Sequence, residues 1–411
     1  MNNKQISLLS LPVIVGSLGF FVDIYDLLLF NITRLSSLKE LGITGTGADH
    51  NGENILNWQM AGLVIGGIGW GMMGDIKGRK SVLFGSILLY SLATIVNGFV
   101  QNLTMYTLLR FVAGLGLAGE LGASITLTTE ILPREKRGLA AAIIATSGVM
   151  GTITAYFVHN LSGENWRLCY YIGGAMGIAL LFMRVRIHDS RLFNQVKTAH
   201  IRSGDFRMFF TSRDRFFRYG RSILIGLPVW YVIGILISFS NVFAEKFGIR
   251  GFDQPKALML QYLALAFGDM FAGILSNWIR SRKKTLFIYY GILAIFVCMF
   301  FLLKGGGSAF NMYLLCMGLG FGSGISVLYI TMSAEQFGTN LRATAAISVP
   351  NMVRGFLLPI SFLFKFLRSE SGMNNYLQAA FITGGIVILI GLLAVFFTKE
   401  TFAKEMDYLE T

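Results

Sequence analysis

Long apolar runs recur along the whole chain, and their length limits what it can fold into. A helix that crosses a lipid bilayer needs about 20 predominantly apolar residues. By that ruler the sequence holds twelve candidate spans, at roughly 9–32, 57–75, 80–100, 104–130, 138–161, 167–186, 219–244, 256–279, 285–303, 311–334, 343–367 and 376–397. The fifth and eighth are interrupted by polar residues. Only 14% of the residues are charged, against about 25% in soluble domains. The 48 glycines and 6 prolines suit helices packed closely through small residues. Cys169, Cys298 and Cys316 stand apart inside apolar segments, so neither a disulfide framework nor a zinc site is expected. The expected fold class is an all-α, multi-pass membrane protein.

A formal net charge of +13 would suggest nucleic acid if it formed a patch on a soluble domain. Here the basic residues sit in short loops between apolar segments, which is the positive-inside pattern. With both termini placed in the cytoplasm, about 24 of the 35 Lys and Arg fall inside and about 9 outside. Arg110 and Arg354 fall within spans. A bacterial inner-membrane location is expected, with the lipid bilayer as surroundings and no nucleic-acid partner. No small-residue cleavage site follows the first apolar segment, so an uncleaved helix is expected there. Residues 187–218 form the longest inter-helix segment and are strongly basic, with interleaved aromatics. They read as a cytoplasmic linker of short amphipathic helices on the membrane surface. The linker separates an N-terminal six-helix bundle, 1–186, from a C-terminal one, 219–411.

The two halves resemble each other. GMMGDIKGRK (71–80) aligns with GILSNWIRSRKK (273–284), and EILPREKRG (130–138) with EQFGTNLRA (335–343). The offsets agree to within a few residues at roughly 200, so one internal duplication explains both. Two related six-helix halves are an architecture of secondary transporters.

On these motifs the chain resembles the major facilitator superfamily along its whole length. GDIKGRK is similar to the loop signature G-x-x-x-D-[RK]-x-G-R-[RK], with Gly71 and Asp75 at its first and fifth positions. RFVAGLGLAGELGAS, EILPREKRG, NWRLCYYIGG, HDSRLF and KETFAKEMDYLE resemble segments of the sugar-porter, phosphate and metabolite:proton symporter group. GFFVDIYDLLLF (19–30) is similar to the first helix of phosphate-type members. Asn277 replaces the acid of the second loop motif, and Ala118 replaces the first glycine before Gly119-Glu120. The antiporter signature is absent from the fifth helix. The resemblance implies alternating access, with helices one and four lining a central cavity.

Ionisable residues inside spans carry the chemistry, because a charge at the bilayer centre is costly. At about 1.5 Å rise per residue, Asp26 lies ~9 Å inside the outer end of its helix and Asp23 ~14 Å. Arg110, on the antiparallel fourth span, lies ~9 Å from the same face, and Glu120 ~24 Å. An Asp26–Arg110 pair is therefore allowed by depth. Asp23 and Asp26 share one helix face; two carboxylates so close repel unless a cation intervenes. Arg110 would hold one ionised and leave Asp23 to carry a proton, with Glu120 as a second carrier. A static polar network is the competing reading. Asp269 and Arg354 both fall near the midplane. Arg354 suits a carboxylate or phosphate, since its planar fork makes two-point contacts. Asp269 is its resting partner or a separate proton site. Arg110, Asn351 and Tyr25 complete the substrate-binding candidates.

At the cytoplasmic ends, Asp75, Arg79 and Lys80 suggest a charge-and-dipole latch that forms when the inner side closes. Glu130 with Arg137, and Glu335 with Arg342, would extend it; a purely topogenic cluster is the alternative. The expected function is proton-coupled uptake of a small anionic metabolite: a carboxylate, phosphate or polycarboxylate metal chelate such as a siderophore. A metabolite or drug exporter, and more remotely a non-transporting sensor on the same fold, are the rivals. No nucleophile–base pair, phosphate loop or metal cluster points to an enzyme, and no cofactor or metal is expected. The partners expected are a small molecule and protons, with the chain a monomer.

Overall fold

The computed structural model describes residues 11–120, 122–124, 134–163, 165–184, 205–303, 307–402 and 410. Among these the regular structure is helical throughout. The first half holds α1 (Leu11–Glu40), α2 (Thr46–Lys77), α3 (Arg79–Asn97), α4 (Leu103–Leu117), α5 (Arg134–Leu161) and α6 (Trp166–Arg184). The second holds α7 (Met208–Thr211), α8 (Arg213–Tyr231), a π-helical stretch Val232–Ile237, α9 (Ser240–Lys246) and α10 (Gln254–Ile279). It continues with α11 (Arg282–Leu302), α12 (Ala309–Gly322), α13 (Ser326–Gln336), α14 (Thr339–Gly355), α15 (Leu357–Arg368) and α16 (Tyr376–Phe397). Each of the twelve apolar runs has a helix at its position. Nine stretches of the described residues are long and apolar enough to cross a membrane. Three of these join consecutive helices: Arg213–Ile237, Ala309–Gln336 and Thr344–Arg368.

Helix starts follow local chemistry. Asn102, Ser281, Ser308 and Asn375 each accept a hydrogen bond from the backbone N–H three residues on, at the first turns of α4, α11, α12 and α16. Large apolar side chains such as Ile65, Leu108, Phe182 and Leu302 are exposed, while Asp23, Asp26, Arg110, Glu120 and Arg184 are wholly buried. That inversion of the soluble pattern is what a lipid surround requires.

The chain divides into two compact units. The first comprises Met1–Phe206 with Thr339–Asn351 and Leu409–Thr411; the second comprises Arg207–Gly338 and Met352–Tyr408. In the first, α2 and α3 pack on α4, and α6 packs on α1 and α3. In the second, α10 and α11 pack on α12, and α16 packs on α8 and α11. The pairings named correspond between the two units. The tightest crossings use glycine. A Cβ at Gly62 or Gly66 would overlap the carbonyls of Phe111 or Leu115 across the α2–α4 contact. Gly320 and Gly268 meet the carbonyls of Gln261 and Phe321 across the α10–α12 contact in the same way.

Four spans are interrupted. The fourth turns at Ala118–Gly119, where the expected run continued to 130. The seventh passes from α8 into the π-helical stretch a few residues after Pro228, whose ring removes a backbone donor from the ladder. The tenth breaks between α12 and α13 at GSGIS, and the eleventh at Phe356. Apolar run length cannot report such breaks, since short interruptions leave the mean hydropathy of a span high.

Candidate functional site

Two buried ion pairs organise the core of the first unit. The Arg110 guanidinium lies 3.0 Å from the Asp26 carboxylate, and both residues are wholly buried. Thr94 donates to the other Asp26 oxygen at 2.8 Å. Arg110 also faces the Tyr170 ring, 5.3 Å from its centroid. The Tyr170 and Tyr106 hydroxyls hydrogen-bond at 2.8 Å, and Tyr106 donates to Ser37 at 3.2 Å. The cation is thus held by a carboxylate on one side and an aromatic face on the other, which offsets the cost of burying it. Depth along the helices allowed this pair; the Tyr–Tyr–Ser support behind it left no mark in the sequence pattern.

The second pair was not anticipated. Glu120 and Arg184 form a two-point ion pair, with Arg184 Nη1 2.8 Å from Oε2 and Nη2 against Oε1. Arg184 Nη1 also donates to the Leu83 carbonyl at 2.6 Å, and Ser124 donates to Glu120 at 3.2 Å. Gly19 of α1 lies directly against the pair, where any Cβ would overlap the Glu120 carboxylate. Arg184 ends an apolar segment and so reads in the sequence as one more topogenic charge. Depth matching along α6 would have found it: 18 residues from Trp166 is ~27 Å, close to the ~24 Å of Glu120.

Asp23 is wholly buried, one turn from Asp26. Its charge acts on both Arg184 and Tyr90, so it lies in the same electrostatic cluster as Glu120. Tyr25 donates to the Cys169 carbonyl at 2.9 Å. Asn351 donates to the carbonyls of Ala118 at 2.9 Å and Ile347 at 3.0 Å. Both of these substrate-binding candidates therefore spend a hydrogen bond on helix packing. Arg34, at the end of the same apolar run, is buried and 3.8 Å from Asp49.

In the second unit, Arg354 is 7% exposed and its guanidinium lies 5.9 Å from the Trp230 ring centroid. The charge of Arg354 also reaches Tyr329. Trp230 sits between Pro228 and the π-helical stretch. Asp269 lies at a break in the tenth span. Its carboxylate accepts from the Val327 N–H at 3.2 Å and from the Ser326 backbone, at the first turn of α13. It caps a helix N-terminus that exists only because the tenth span is broken.

Of the latch residues, Glu130 and the side chains of Asp75, Arg79, Arg137 and Arg342 lie outside the described residues. Lys80 sits over the Phe84 ring at 5.6 Å. Glu335 pairs with Arg282 at 3.4 Å and accepts from Thr401 at 2.6 Å. Arg282 also reaches Asn277 at 3.3 Å, so the asparagine that replaces the motif acid still accepts from the motif arginine. Beside them Glu400 receives the Ser281 hydroxyl and the N–H groups of Arg282, Thr401 and Phe402, each N–H at 3.0 Å. Burial opposes ionisation of Glu400, but these donors hold its carboxyl below its ordinary value of 4.5.

A depressed carboxyl stabilises the fold above its unfolded value, and the effect is lost as pH falls through the folded one. Glu400→Gln should therefore lower the thermal midpoint of the purified protein at pH 7 and change it little at pH 3. An equal change at both pH values would show that ionised Glu400 contributes nothing.

Comparison with known proteins places these features. The sequence profile of the Major Facilitator Superfamily matches residues 16–361. The niacin transporter NiaP of Acinetobacter baylyi is 25% identical, covering 96% of this chain and 94% of its own. A gentisate transporter of Corynebacterium glutamicum is 23% identical, covering 84% and 79%. Among solved structures, a D-xylose-proton symporter superposes with a TM-score of 0.71 at 15% identity, covering 95% of this chain and 97% of that one.

Proposed function

Since the chain belongs to the major facilitator superfamily, we propose that it is a secondary transporter taking up a small carboxylate together with protons. Its termini face the cytoplasm, and the segment 187–218 joins its two six-helix bundles there. The single observation that carries the substrate reading is Arg354, nearly buried beside the Trp230 ring with Tyr329 in range. A guanidinium next to an indole face suits a flat ring that bears a carboxylate: the fork takes the anion and the indole stacks on the ring. Niacin and gentisate, after which two relatives are named, are both carboxylates on an aromatic ring.

The proton reading rests on Asp23. A proton there relieves repulsion between two carboxylates that share the field of Arg184, and it leaves the Asp26–Arg110 pair intact. The coupling carboxylate and the ligand-binding guanidinium then lie in different units, so each can be removed without touching the other.

Nicotinate and benzoate should each raise the thermal midpoint of the purified protein, and Arg354→Ala should abolish the rise. The lost two-point contact corresponds to at least about tenfold in affinity. An undiminished rise would remove Arg354 from the site. Uptake into proteoliposomes should follow an imposed pH gradient; indifference to that gradient would remove proton coupling.

A further inference from the structure

Ser86, Tyr90, Thr94 and Asn97 follow one another along α3 at helical spacing, which puts them on one face. All four are wholly buried. Thr94 donates to Asp26. The hydroxyls of Ser86 and Tyr90, and both amide atoms of Asn97, have no hydrogen-bond partner among the described residues. Buried polar groups in native proteins are satisfied by protein or by ordered water, so such a row calls for an explanation.

The row connects the two ion pairs. At one end Arg184 donates to the Leu83 carbonyl, and Gly119, next to Glu120, packs on the Ser86 side chain. At the other end Thr94 holds Asp26, about 16 Å along the helix from Leu83. Between them the Tyr90 phenol lies in the field of Glu120, Arg184, Asp23 and Asp26. Arg110, paired with Asp26, is the remaining charge at that end. Gly116 of α4 and Gly177 of α6 bring backbone close against Tyr90 and Ser91, so the row is sealed from the outer surface of the bundle.

We infer that this face of α3 carries a file of hydroxyls and water along which a proton passes between Asp23 and Glu120, with Tyr90 as its central relay. Each hydroxyl gives its proton to the next oxygen as it receives one from the last. No group in the file therefore changes charge, and the excess proton leaves one carboxylate and arrives on another. The file rests on the proton-coupled reading above and adds a route to it.

The test uses the full chain in proteoliposomes, with nicotinate and benzoate as probes and a lumenal pH dye as readout. Tyr90→Phe keeps the ring and its packing. It should cut probe-driven proton flux about tenfold or more, while counterflow of labelled probe, which needs no net proton movement, falls far less. Ser86→Ala should shift the same ratio in the same direction. Flux equal to wild type in both variants overturns the file and leaves proton coupling standing. Flux and counterflow lost in equal measure in both assigns the row to packing, and also overturns it. Absence of probe-driven flux in the wild type overturns proton coupling, and the file with it.

Discussion

Arg184→Met should leave little folded protein, and adding Glu120→Gln to that variant should bring much of it back. Both partners are wholly buried, and Arg184 also satisfies the Leu83 carbonyl. Removing one member of a buried pair typically costs about 3–5 kcal/mol, because the other charge stays behind without compensation. Replacing both members by neutral groups of similar volume is often close to neutral. Methionine keeps the length of the aliphatic stem, and glutamine keeps the shape of the carboxylate, so packing against Gly19 is preserved. The measurement is the thermal midpoint and the monodisperse yield of wild type, both single variants and the double variant in one detergent. A single Arg184→Met variant as stable as wild type would mean that the pair contributes no more than an exposed one. A double variant no better than the single would assign the loss to the Leu83 contact instead.

The asparagine change at Asp26 and the same change at Asp23 should fail in different ways. Asp26→Asn strips Arg110 of its counter-charge and leaves it only the Tyr170 face and the backbone carbonyl at the substituted position. The expected loss is again about 3–5 kcal/mol of stability, seen as a lower midpoint and poor yield. Asp23→Asn fixes a neutral side chain at a position that already accommodates a proton in the proposed cycle. Folding and probe counterflow should survive, while accumulation against a gradient should fall about tenfold or more, because the proton-bearing group is gone. If Asp23→Asn accumulates probe as wild type does under a pH gradient, Asp23 is not the coupling group. If Asp26→Asn melts with the wild type, the Asp26–Arg110 pair is dispensable.

The contrast between these two aspartates was partly legible before any coordinates. Three-residue spacing places them on one face, and equal depth allows Arg110 to reach Asp26. The partner of Glu120 was not legible, because Arg184 has the sequence context of a topogenic arginine. The helix-capping contact of Asp269 was hidden for a deeper reason. A carboxylate can cap a helix N-terminus only if that terminus exists, and the break before Ser326 is not written in apolar periodicity. Likewise Glu335 meets Arg282, more than fifty residues away.

By itself the sequence determined that the chain is an all-helical, multi-pass membrane protein of the major facilitator superfamily. These properties follow from run length, charge asymmetry and local motifs, which are additive along the chain. Tertiary structure alone decided which buried charge meets which, where spans break, and which polar side chains of α3 form a row from one ion pair to the other. The physical reason is that a buried charge must find its counter-charge through space at about 3 Å, and helices far apart in sequence supply it.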